Sequence, residues 1–210
     1  MEERIKRIIE ILEQEYPGAK SALKYQSPFQ MLIATVLSAQ TMDETVNRVT
    51  SGLFKRYKTV YELAEAPLEE IQNEIRCVNF YKNKGTNIKK IAQIIAKDFN
   101  GEVPDSMEKL VSLPGVARKT ANVVLGEVFG KAEGIVVDTH VKRLSLRLGL
   151  TDKTSPEKIE KDLMKLIPRE KWISFPMTLI LHGRKVCTAK QPKCGKCKIE
   201  KFCLFTAKTK

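Results

Sequence analysis

The chain has 210 residues, of which 42% are hydrophobic, with 37 Lys and Arg against 25 Asp and Glu for a formal net charge of +12. This length and apolar content suit one large domain or two small ones, with a core that needs no disulfide staples; eleven Gly and nine Pro are too few for a collagen-like or low-complexity chain. No run approaches the roughly 18 apolar residues of a spanning helix, and the N-terminus MEERIKRIIEILEQ lacks the apolar core and small-residue cleavage site of a signal peptide, so the expectation is a soluble cytoplasmic protein with no membrane partner, or a nuclear one if the source has a nucleus.

In chain order the pattern is helical nearly throughout. Ile5, Ile8, Ile9 and Leu12 share one face of a helix over residues 2–15. Ser27-Pro28-Phe29-Gln30 reads as a capping box with Pro at the first helical position, leading into the all-round apolar MLIATVLSAQ. Asp43 opens the next helix, a short one follows at YELAEA, and Pro67 opens another through about Arg76. Ile88, Ile91, Ile94 and Ile95 line one face of residues 82–98. Ser106 begins a short helix with Leu110, Val111 and Leu113 apolar, and residues 117–129 form the next. Thr139 caps a helix that Gly149 stops, Ser155-Pro156 starts one ending before Pro168, and the last, about 171–184, should kink at Pro176. Ile135-Val136-Val137 is the one strand-like stretch, too short to build a sheet. The expected fold is all-α, with about ten helices and the best candidate seam at 130–137.

Charge and cysteines concentrate together. Residues 1–180 hold 28 basic and 24 acidic side chains, whereas 181–210 hold nine basic residues and one acid, Glu200. The same segment holds four of the five cysteines, spaced Cys187-x6-Cys194-x2-Cys197-x5-Cys203, while Cys77 stands alone as a small core or surface thiol. Without an export signal, disulfides are disfavoured. Only Cys194 and Cys197 form a CxxC pair, and spacing leaves a zinc site and an iron–sulfur cluster both open. His140 and His182 are the only histidines; both read as structural, His182 as a hydrogen-bonding residue near the cysteines.

The segment Leu113-Pro114-Gly115-Val116-Ala117-Arg118-Lys119-Thr120-Ala121-Asn122 ends one short helix, turns at Pro-Gly and starts a second at once. Such a turn presents backbone N–H groups at a helix N-terminus, where a phosphate can bind, and Gly115 permits a positive φ. Asp138, before Thr139-His140, suits a helix N-cap.

LPGVARKTANVVL resembles the helix–hairpin–helix of the endonuclease III family of DNA glycosylases. The resemblance extends, in order, through Leu37-Ser38-Ala39-Gln40-Thr41, Gly101-Glu102-Val103-Pro104, Val137-Asp138-Thr139-His140-Val141, Leu181-His182-Gly183-Arg184 and the cysteine spacing. It implies two closely packed helical domains with a DNA-binding cleft between them. One is a six-helix barrel over 21–130 with the hairpin near 107–129; the other is a cluster domain of 1–20 plus 131–210, whose loop 187–203 holds a [4Fe–4S] cluster on Cys187, Cys194, Cys197 and Cys203. It makes Lys119 the nucleophile and Asp138 the carboxylate that stabilises the sugar cation. Gly115, Val116, Ala117, Arg118 and Thr120 become the phosphate-binding turn, Gln40 the filler of the gap left by a flipped base, and Phe80 an apolar wedge in the opposite strand. Basic groups over 184–201 would neutralise phosphates.

Two positions depart from the family's usual pattern: Ala117 stands where a second hairpin Gly is common, and Asn79 where the wedge loop often has Gly. Within the family, adenine-mismatch enzymes carry Glu at the position of Thr35 and, like the thymine-mismatch enzymes, lack the lysine. Thr35 with Lys119 therefore favours a glycosylase and abasic-site lyase acting on duplex DNA with oxidised or ring-saturated pyrimidines or abasic sites; a monomer is expected because one protein must surround one flipped base. The alternatives are a monofunctional mismatch glycosylase, a non-catalytic helical DNA-binding protein, and a cluster-based redox sensor.

Overall fold

A computed structural model describes residues 2–206; Met1 and residues 207–210 of the expected C-terminal domain lie outside the described residues. Among the described residues there are eleven α-helices, three short 3-10 turns and no strand. The protein is all-α. Ile135, Val136 and Val137 are buried but form no strand. Among the described residues no helix is long and apolar enough to cross a membrane.

The chain divides into two compact units, one of Ala22–Lys131 and one of Met1–Ser21 with Ala132–Lys210. In the first, α2 (Pro28–Ser38) is central because it is apolar on every side: Phe29 and all residues from Met31 to Leu37 are buried. Around it stand α3 (Asp43–Arg56), α6 (Tyr81–Asp98) and α8 (Arg118–Phe129). The short helices α4 (Val60–Glu65) and α5 (Leu68–Glu74) pack on α6, and α7 (Met107–Val111) packs on α8. Ser27, Thr59 and Ser106 each accept a backbone N–H as N-caps. Such a cap is worth about 1 kcal/mol.

The second unit contains α1 (Glu2–Glu15), α9 (Thr139–Arg147), α10 (Pro156–Leu166) and α11 (Ser174–Lys185). The apolar face of α1, with Ile5, Ile8, Ile9 and Leu12, joins one core with Val141, Leu144, Phe175 and Leu179. Helix α11 packs against both α1 and α9.

Several local expectations need correcting. Asp43 does open α3, but as its first helical residue rather than its cap, and Met42 takes the cap position without a side-chain bond. In the return bond of the Ser27 box, Gln30 Oε1 accepts the N–H of Gln26 rather than that of Ser27. Val111 is exposed, because a five-residue helix buries only Leu110. Asp138, not Thr139, caps α9. Pro176 makes no interior kink: α11 starts at Ser174, so the proline falls in the first turn, where its missing N–H has no intrahelical partner to lose.

Phe175 is the bulkiest of the fully buried side chains and has no exposed surface. Phe175→Ala should lower the unfolding free energy by about 3–5 kcal/mol, seen as a lower urea midpoint at unchanged slope.

Candidate active site and cysteine loop

The hairpin is held from below. Leu113 and Val116 are buried in the core of the 22–131 unit, and Val116 N–H donates to Leu113 O at 3.1 Å. Between them Gly115 takes φ +77°. A Cβ there would stand 2.5 Å from Asn87 Nδ2, so glycine is required for both conformation and space. Ala117, at the N-cap of α8, has no side-chain oxygen to offer, and the first turn of α8 holds no acid. Arg118 and Lys119 occupy that turn instead, both exposed, with Thr120 half-buried beside them. Two cations at the positive end of a helix are electrostatically unfavourable. Uncapped N–H groups with flanking cations make a site complementary to an anion.

On the same unit the structure brings the loops of Gln40 and Phe80 together. Asn79 Nδ2 donates to Gln40 O at 2.5 Å, and Asn79 N–H to Thr41 Oγ1 at 3.3 Å. Gln40 (φ 55°) and Phe80 (φ 59°) are both left-handed, a conformation that costs a non-glycine residue about 1–2 kcal/mol. Both are exposed, Phe80 by 64%. Beneath them lies Lys84, buried, with its ammonium on Leu37 O (2.8 Å), Ala39 O (2.5 Å) and Thr41 Oγ1 (3.2 Å). Burial pushes its pKa below the usual lysine value. The sequence reading missed Lys84, yet a signal was there: it continues the apolar stripe of Ile88, Ile91 and Ile95, where a lysine is out of place.

Asp138 belongs to the other unit. It is half-buried, and its Oδ1 accepts Val141 N–H at 2.8 Å as the N-cap of α9. His140 and Arg143 lie within its field; burial holds His140 below the usual imidazole pKa, with Asp138 opposing and Arg143 and Arg184 reinforcing the shift. Gly183 explains the Leu181-His182-Gly183-Arg184 motif, since a Cβ would stand 2.8 Å from His140 Nδ1 and 3.0 Å from Arg143 Nη2. Side chains of α9 thus lie directly on the backbone of α11, and Arg143 donates to Gly183 O (3.0 Å) and Cys187 O (2.9 Å).

The four cysteines line one small cavity with Arg147, Val186, Pro192 and Phe205. All are half-buried free thiols. Arg147 donates to Cys187 Sγ (3.2 Å), Thr188 O (2.8 Å) and Ala189 O (2.9 Å). His182, buried, sits between Tyr16 Oη (3.0 Å from Nδ1) and Cys197 Sγ (3.4 Å from Nε2). Burial, with the other three thiols nearby, pushes the Cys197 pKa up to about 11. Among the described residues no three His, Cys, Asp or Glu side chains are set to hold a single metal ion; the thiols surround a space instead. Cys77 is exposed and apart from them.

Comparison with known proteins agrees with this geometry. Residues 33–169 match the HhH-GPD superfamily of base excision DNA repair proteins. The chain is 52% identical to endonuclease III of Synechocystis over 96% of its own length and 92% of that protein's. It is 44% identical to endonuclease III of Bacillus subtilis, over 90% and 86%. A trapped covalent intermediate of an endonuclease III with DNA superposes with a TM-score of 0.91 at 41% identity, covering 97% of this chain and 95% of that one. The chain belongs to the endonuclease III family. It is a base excision repair DNA glycosylase.

The two departures from the endonuclease III pattern are resolved by backbone conformation. Ala117 has φ −82° and ψ 164°, an ordinary extended geometry, so its Cβ does not restrict the turn. In the wedge loop the left-handed residue is Phe80, not Asn79, which is absent from the positive-φ residues; Asn79 serves as the clip to Gln40. Ala117→Gly should therefore cost about 0.4–1 kcal/mol of stability, and Gly115→Ala more than about 1 kcal/mol, both measured by denaturant unfolding.

Proposed function

We propose that the protein is a bifunctional enzyme that removes oxidised or ring-saturated pyrimidines, such as thymine glycol, from duplex DNA and then cuts the strand at the abasic sugar. The observation that carries this is the exposed Lys119, set beside Arg118 in the uncapped first turn of α8 directly after the Gly115 turn. The similar structure trapped as a covalent intermediate with DNA supports a covalent step through such an amine.

The damaged nucleotide must first leave the stack, because its glycosidic bond cannot be reached within the duplex. The backbone N–H groups of Gly115, Val116 and Ala117, with Arg118 and Thr120, bind a phosphate and fix the strand. Gln40 and Phe80 fill and wedge the stack around the extruded nucleotide. Neutral Lys119 Nζ attacks C1′; the N–C1′ bond forms as the bond to the base breaks, and the base leaves with the electron pair and takes up a proton. Positive charge develops on the sugar, and Asp138 supplies the carboxylate that stabilises it. Loss of the amine proton and opening of the ring give a Schiff base. Removal of a C2′ proton then expels the 3′ phosphate by β-elimination, and water releases the lysine. The roles of Lys119 and Asp138 rest on the motifs in which each stands.

Cys187, Cys194, Cys197 and Cys203 would hold a [4Fe–4S] cluster. In support, four free thiols line one cavity and Arg147 donates to Cys187 Sγ, and four cysteine thiolates are the usual ligand set of such a cluster. When bound, the cluster would act as a scaffold for the loop. The exposed Lys193, Lys196 and Lys201 of that loop then add salt-sensitive phosphate contacts, while Lys198 is paired with Glu15. We further propose that it works as a monomer, in the cytoplasm with the nucleoid if the source is a prokaryote.

Lys119→Gln should bind duplex DNA carrying an abasic site within about threefold of wild type while nicking it at least about a thousandfold more slowly. Nicking near the wild-type rate would refute the assignment.

A further inference from the structure

Lys84 occupies a position where packing alone calls for an apolar residue. It stands one turn before Ile88 on the buried stripe of α6, is 7% exposed, and burial disfavours its charge. A buried ammonium persists only where oxygens satisfy its protons. Here they are two carbonyls from the end of α2, Leu37 O and Ala39 O, and the hydroxyl of Thr41. Carbonyls of a last helical turn lack intrahelical partners and carry the negative end of the helix dipole, so the cation is matched to them.

The same hydroxyl joins the two exposed loops. Thr41 Oγ1 also accepts Asn79 N–H, and Asn79 Nδ2 donates to Gln40 O. One continuous set of bonds thus runs from Lys84 through 37–41 to 79. It ends at two exposed non-glycine residues in left-handed conformations, Gln40 and Phe80. Such conformations persist only when their surroundings over-determine them.

We propose that Lys84 is a positioning residue for DNA recognition. Its ammonium locks the Gln40 and Phe80 loops into one pre-formed, two-pronged unit, so neither loop has to be ordered as it enters the duplex. This rests on the reading of Gln40 and Phe80 as the residues that enter DNA. Pre-organisation of this kind raises affinity by removing an ordering cost from binding.

The test is a mutant cycle, measuring affinity for a duplex with a tetrahydrofuran abasic analogue. Wild type is compared with Lys84→Met, the Gln40→Ala/Phe80→Ala double variant, and the triple variant. Methionine suits the apolar stripe and removes only the cation. Lys84→Met should weaken binding about tenfold, and the triple variant should bind within about twofold of the double, because Lys84 acts through residues already removed. Hydrogen exchange of residues 38–42 and 78–82 in the free Lys84→Met protein should quicken. The proposal is overturned if Lys84→Met binds like wild type, or if its penalty persists undiminished in the triple variant, as it would for a general loss of fold. Wild-type affinity in the double variant would instead defeat the reading of Gln40 and Phe80, and this proposal with it. Should Lys84→Met not fold, Thr41→Val removes the shared hydroxyl from a half-buried position, and the same non-additivity decides the matter.

Discussion

The anchoring of the hairpin turn in the core is the constraint on which the chemistry rests. Leu113 and Val116 are buried on either side of Gly115, so the chain between two helices has one path. The positive φ of Gly115 and the close approach of Asn87 then fix where α8 begins. Its uncapped start, with Arg118 and Lys119 in the first turn, is unfavourable for the isolated protein and favourable once an anion arrives. In the proposed reaction, stability given up at a helix terminus is converted into recognition of a phosphate, with the proposed nucleophile carried on the same turn.

The cysteine loop follows a different strategy. It has little regular structure beyond the two 3-10 turns at Cys194–Lys196 and Glu200–Phe202. Arginines instead tie its backbone oxygens to the neighbouring helices: Arg143 bridges Gly183 O and Cys187 O, Arg147 holds Thr188 O and Ala189 O, and Arg4 bridges Leu148 O and Phe202 O. Guanidinium groups suit this task because they present several donors in a fixed plane. Arg147 also lies over the Phe205 ring, 4.5 Å from its centre. The charge of these three arginines is therefore structural, and of the exposed loop lysines Lys198 is paired with Glu15 at 2.6 Å.

The helical fold was legible in the sequence because most elements carry both an apolar stripe and a boundary residue: Ser27, Ser106 and Ser155 mark starts, and each one caps. Errors fell where two residues competed for one role. Asp138 and Thr139 are both good caps, and the choice depends on a bond to Val141 N that no local pattern reveals. Pro176 looked interior because the sequence does not show that residues 169–171 form a separate 3-10 turn. Within the site, contiguous motifs were readable and long-range partners were not. Asn79 stands where glycine is common, yet the left-handed conformation belongs to Phe80 and Asn79 makes a cross-loop bond. Lys84, Arg147 and Tyr16 escaped notice because each acts on residues more than thirty positions away.

Lys119, among many surface lysines, is distinguished by the turn that carries it and by family membership. In the proposed reaction its amine bonds to the sugar. Borohydride reduction of the protein with abasic-site DNA, followed by peptide mapping of the adduct, locates that bond. A covalent protein–DNA species with the sugar attached at Lys119 is expected. An adduct at another residue, or none from protein that binds the DNA, would contradict it.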